Sequence, residues 1–137
     1  MISQWLLPAS LTLICWGVWS FIPKITTRYI SPMSAMIYEV IGAIIVGVVI
    51  LTRLDFRPDI NPKGICLAVV TGIVGLTGAL GFLFAVKYQK VSVVAMFTSL
   101  SPVITLTLGW LVLKEPITLK EGLGIISAFA AIYFFVN

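Results

Sequence analysis

Between Lys90 and Lys114 the sequence runs from Val91 to Leu113, 23 residues, without a single charge. At 1.5 Å per residue that is roughly 34 Å of helix, enough to cross a hydrocarbon core about 30 Å thick with some tilt. Pro102 sits near its middle, withholding one backbone donor and crowding the carbonyl of Thr98. A membrane tolerates such a proline where polar side chains or partner helices satisfy the freed carbonyl. Thr98, Ser101 and Thr105, spaced i, i+3, i+7, share one helical face and are placed to supply such groups. Two readings of this segment stand open. One is a kinked helix kept for packing; the other is a discontinuous helix, hinged at Pro102, whose hydroxyls line a substrate path at mid-membrane.

The rest of the chain has the same character. Hydrophobic residues make up 60% of it and charged residues only 10%, and the mean hydropathy is +1.13. A soluble domain of 137 residues has too little interior to hide that much apolar surface. An all-α, multi-pass integral membrane protein is therefore expected, one domain spanning residues 1–137 in the cell (inner) membrane. The net charge is +4, but the nine lysines and arginines lie between apolar segments. They read as interface anchors and orientation signals. A nucleic-acid surface needs them clustered with exposed aromatics, so no nucleic-acid partner is expected.

With no histidine, and with Cys15 and Cys66 far apart, the common metal sites are excluded and no cofactor is expected. Both cysteines read as small packing residues rather than a disulfide. Nor is there a nucleophile–base pair of the kind an enzyme needs. The opening MISQWLLPAS lacks the basic region of a signal peptide, so the first apolar segment is expected to stay as a membrane helix.

Five helices are expected, at about residues 4–22, 32–51, 64–86, 91–113 and 119–136. Pro23-Lys24 closes the first. Ser31-Pro32 and Asn61-Pro62 each place a capping side chain ahead of a proline at the first helical position. Thr118-Leu119-Lys120-Glu121 reads as a capping box for the last. Glycines at 72, 75, 78 and 81 form a drifting stripe on the third helix, which predicts close approach by more than one neighbour. No strand and turn precede them, so a nucleotide-binding loop is rejected.

Glu39 is the acidic residue set well inside an apolar run, about 10 Å from the start of its helix. Its neighbours one turn away are Ala35, Gly42 and Ala43, with Val46 a step further, whereas Ile37, Ile41, Ile44, Ile45 and Val48 suit lipid. Glu39 is therefore expected to point into the protein. Aromatic residues bear on the same question: Trp16 and Trp19 share a face with Thr12, and Tyr38 adjoins Glu39. The candidate substrate-binding set is Trp16, Trp19, Tyr38, Glu39, Thr98, Ser101 and Thr105, with Glu39 as the coupling group.

The stretch AVKYQKVSVVAMFTSLSPVITLTLGWLVLKEPITLKEGLGIISAFAAIYFFV resembles the C-terminal part of an EamA domain of the drug/metabolite transporter superfamily. The opening CWGVWSFIPKI is similar to the tryptophan-glycine start of that domain. The resemblance covers essentially the whole chain. It implies export of small organic metabolites by alternating access between inverted five-helix halves, with this chain as one half-transporter.

Five spans put the two termini on opposite sides of the membrane. One side then holds Arg53, Arg57, Lys63, Lys114 and Lys120, the other Lys24, Arg28, Lys87 and Lys90. Orientation follows the bias in such residues, and five against four is almost none. Dual insertion and an antiparallel homodimer, with the path between copies, are the expectation. Two other functions stand beside metabolite export. One is a small multidrug-type antiporter exchanging protons for organic cations at Glu39. The other is an accessory or lipid-handling membrane subunit without a transport cycle.

Overall fold

The computed structural model describes residues 4–136, and every regular element among them is helical. The elements are α1 (Leu6–Tyr29), α2 (Pro32–Arg53), α3 (Pro62–Tyr88), α4 (Val91–Thr98), α5 (Ser101–Leu108), a π-helical turn (Gly109–Leu113) and α6 (Leu119–Val136). Among the described residues four stretches are long and apolar enough to cross a membrane: α1, α2, α3 and the composite Val91–Leu113. Contacts divide the chain into two compact units, one up to Tyr88 and one from Gln89.

In the first unit α3 packs against both α1 and α2. Its buried side chains are Ala79, Phe82, Leu83 and Val86, and Pro32 and Ala35 of α2 and Pro23 of α1 are buried as well. Most large apolar side chains, such as Ile37, Ile44 and Val70, face outward. Water would make this arrangement costly, but lipid is as apolar as the side chains themselves.

Two helix starts are set by local chemistry. Ser34 N–H donates to the Ser31 hydroxyl at 3.2 Å, and Gly64 N–H donates to Asn61 Oδ1 at 3.1 Å. Proline follows each cap at the first helical position, where its missing N–H is not needed. The C-terminus of α2 ends in a Schellman turn. Asp55 takes the left-handed conformation at φ 49° and donates to Thr52, while Phe56 N–H donates to the Leu51 carbonyl at 3.1 Å.

The end expected for the first helix at residue 22 is not where it stops. Helix α1 runs through Pro23 and on to Tyr29. An interior proline costs about 3 kcal/mol. Ending the helix inside the membrane instead leaves several carbonyls without partners, each at several kcal/mol, so continuation wins. Two threonine hydroxyls then bond back into the helix, Thr26 to Ile22 and Thr27 to Pro23.

The second unit answers a similar proline the other way. Helix α4 stops at Thr98, Ser99 and Leu100 form a turn, and α5 restarts at Ser101. Backbone and hydroxyl donors share the carbonyls at this break. Thr98 Oγ1 donates to Val94 and Ala95 at 3.0 Å, and Ser99 Oγ donates to Met96 at 2.6 Å. Leu100 N–H reaches the Phe97 carbonyl at 3.3 Å and Val103 N–H reaches Leu100 at 2.9 Å. The interruption therefore precedes Pro102, which sits in the first turn of α5.

Helix α5 widens into the π turn, which closes at Lys114, a left-handed residue with φ 60°. A Cβ on Gly109 would lie 3.1 Å from the Glu115 carboxylate, so glycine leaves room for that side chain. The capping box then opens α6. Thr118 N–H donates to Glu121 Oε2 at 2.7 Å, and Glu121 N–H donates to Thr118 Oγ1 at 3.3 Å. Helix α6 packs on α4, with Ile132 and Val94 buried.

Replacing Pro102 by alanine supplies an N–H to the Thr98 carbonyl and should fuse α4 and α5 into one straighter helix. Spin labels at positions 93 and 107 should move apart relative to the parent, with an equal or higher melting temperature. An unchanged distance distribution would show that the hydroxyls, not Pro102, maintain the break.

Candidate substrate site

Glu39 stands in the eighth position of α2, and its neighbours one turn further on are Gly42 and Ala43. Small residues on that face lower the wall between α2 and α3, and a cavity of about 420 Å3 opens there. Helix α2 lines it with Glu39, Gly42, Ala43 and Val46, helix α3 with Gly75, Leu76 and Ala79, and helix α1 with Trp19. Glu39 is half-buried and is the one ionisable group of that lining among the described residues. The cavity is thus an apolar pocket with one carboxylate and one indole.

Trp19 is held from behind. Its ring lies 5.3 Å from that of Phe82, tilted by 39°, within the range where aromatic pairs attract. One turn further along α1, the Lys24 ammonium donates to the carbonyl of Val86 at 2.6 Å. Val86 belongs to the last turn of α3, where carbonyls lack intrahelical donors and the helix dipole favours a cation. Lys24 and the Trp19–Phe82 pair therefore fasten α1 to α3 at two successive levels, just above and at the cavity.

The other expected site residues fall elsewhere. Trp16 is 70% exposed and Tyr38 is 64% exposed, and neither lines the cavity, whereas Trp19 is only 38% exposed. Thr98, Ser101 and Thr105 belong to the second unit and are exposed there. The hydroxyls of Thr98 and Thr105 are bonded to carbonyls of their own turns. The α3 glycines do not meet the expected close neighbours: no atom of α1 or α2 comes within 4 Å of a Cβ built on Gly72, Gly75, Gly78 or Gly81. Helix α3 packs through its larger residues instead, leaving that stripe as open surface and as cavity wall. Cys15 and Cys66 are free thiols and exposed rather than packed. Sequence reasoning missed Phe82, Leu76 and Ala79; only the glycine spacing on α3 pointed to that helix.

Comparison with known proteins adds the missing context. The profile of the EamA-like transporter family matches residues 3–137. The chain belongs to the EamA-like transporter family. Relatives include the protein MJ1333.1 of Methanocaldococcus jannaschii, 29% identical over 116 residues, which make up 85% of this chain and 84% of that one. The probable transport protein YPL264C of Saccharomyces cerevisiae is 31% identical over 69 residues, 50% of this chain and 20% of its own. The uncharacterized transporter YyaM of Bacillus subtilis is 26% identical over 116 residues, 83% of this chain and 38% of its own. The chain thus spans most of the archaeal relative but well under half of the other two. No solved structure matches it. With its apolar helices, this chain is a multi-pass membrane protein of a transporter family.

The Lys24 contact carries its own test. Lys24→Met should lower stability by about 1.5–3 kcal/mol, the usual worth of a hydrogen bond to a charged group. Lys63→Met, at an exposed position in the first turn of α3, should be close to neutral. Thermal unfolding in the same detergent compares the two, and equal effects would show that the Val86 contact contributes nothing.

Proposed function

We propose that the protein exports a small organic metabolite across the cell's inner membrane by alternating access. In this reading each chain crosses five times, α6 being the fifth span, and two oppositely inserted copies form the path. The observation that carries the reading is the half-buried carboxylate of Glu39 in an apolar cavity among three membrane helices. Ionisable groups at such depth are costly to keep and mark substrate or ion pathways.

Further observations support the finer points. Helix α6 has 18 residues, roughly 27 Å, which is close to the thickness of the core. The archaeal relative is a chain of nearly this length. Inverted repeats related by an axis in the membrane plane are a common basis for alternating access, and a single half reaches that symmetry by pairing with an inverted copy. The lysines and arginines divide almost evenly between the two sides, which is what insertion both ways requires. The open glycine stripe on α3 offers a surface for close helix contact.

Glu39→Gln should abolish pH-driven flux of radiolabelled metabolites in proteoliposomes while leaving the melting temperature within a few degrees of the parent. Equal rates would reject Glu39 as the coupling group. For topology, a pair of C-terminal reporters is decisive, one active only in the cytoplasm and one only outside. Dual insertion gives signal from both, and two added lysines on either side should silence one. A single strong orientation in the unmodified chain would rule out the antiparallel homodimer.

A further inference from the structure

The cavity at Glu39 has a charge character that narrows what it can hold. Its lining contains one carboxylate and no lysine or arginine among the described residues. The basic residue fastened nearby, Lys24, directs its ammonium to the Val86 carbonyl. A substrate phosphate or carboxylate entering here meets a like charge and, at most, one neutral indole donor. Taking an anion out of water costs several kcal/mol unless a cation or several donors receive it. A substrate cation meets the opposite situation, because the Glu39 carboxylate supplies its counter-charge in a low-dielectric place. Trp19 adds a ring face, and indole is the best of the aromatic partners for a cation. Gly42 and Gly75 have nothing within 4 Å of a built Cβ, so both present bare backbone to the cavity. Flat walls of that kind suit a planar apolar group. The space, about 420 Å3, is a groove more open than enclosed, so a bound molecule keeps one side outside the helices.

We infer that this cavity selects a monovalent organic cation, a protonated amine carried on a compact planar apolar body, over anionic and zwitterionic metabolites. The amine pairs with Glu39 and its flat body lies against Trp19 and the two glycines. The inference rests on the reading of this cavity as the substrate site and adds the chemical class of its occupant.

The test uses two probes that differ in one carboxylate, 2-phenylethylamine and phenylalanine, binding to the full chain in lipid nanodiscs. The amine should bind saturably and at least about tenfold more tightly than the amino acid. Glu39→Gln should weaken amine binding by roughly tenfold or more, as expected for a charged hydrogen bond. Glu39→Asp should retain part of it. Trp19→Ala should weaken it by roughly twofold to thirtyfold. Absence of saturable amine binding, equal binding of the two probes, or full affinity in a folded Glu39→Gln variant would each overturn the inference. Should the Gln variant not fold, the wild-type preference between the two probes decides. Vesicle flux separates this inference from the transport reading. Amine binding without any amine counterflow would overturn transport alone. Flux of an anionic metabolite that excess amine does not inhibit would overturn the cation assignment alone.

Discussion

Backbone groups that enter hydrocarbon must find their partners inside the chain, and most of this structure follows from that requirement. It makes every regular element among the described residues a helix. It also explains why the two central prolines have opposite outcomes. Around Pro23 an early stop exposes a whole turn of carbonyls, so α1 continues and gives up a single bond. Around Pro102 the carbonyls of the last turn of α4 accept from the backbone N–H groups of Ser99 and Leu100, and the hydroxyls of Thr98 and Ser99 add further bonds to Val94, Ala95 and Met96. The same proline chemistry gives a through-helix in one place and two short helices in the other.

The same requirement links the fold to the site. The last turn of α3 has carbonyls without helical donors, and the Lys24 ammonium takes one of them. Lys24 lies five residues beyond Trp19 on α1, and both side chains meet α3, at Val86 and at Phe82. Phe82 packs against the same tryptophan, with ring centroids 5.3 Å apart. The site depends on both contacts, although neither residue lines it.

Sequence patterns were informative wherever a local rule acted alone. Ser31-Pro32, Asn61-Pro62 and Thr118–Glu121 are caps whose partners lie within three residues, and all three are made. Glu39 was legible for a related reason, since its small helical neighbours leave a gap on one face and its branched neighbours cover the other. What the sequence could not reveal depends on other helices. Trp16 and Trp19 look alike on a helical wheel, and only the position of Phe82 on α3 distinguishes them. The passage of α1 through Pro23 reflects a balance with the membrane, not a property of the proline. The break before Pro102 and the π turn after Leu108 arise from competing hydrogen bonds whose winner no spacing rule names.

The π turn at Gly109–Leu113 has a consequence for how the chain relates to its kin. A turn closed five residues back holds one residue more than an α turn needs, so it accommodates an insertion without displacing what flanks it. Each added residue rotates the downstream face by about 100° in an ordinary helix. Here the excess is confined to one wide turn, which Lys114 ends in a left-handed conformation. The non-helical residues 114–118 that follow let Ser101–Leu108 and α6 keep independent registers. Homologous chains that differ by one residue at this point can still superimpose on both sides of it, and an alignment that forbids a gap there would misassign every outward face beyond Trp110.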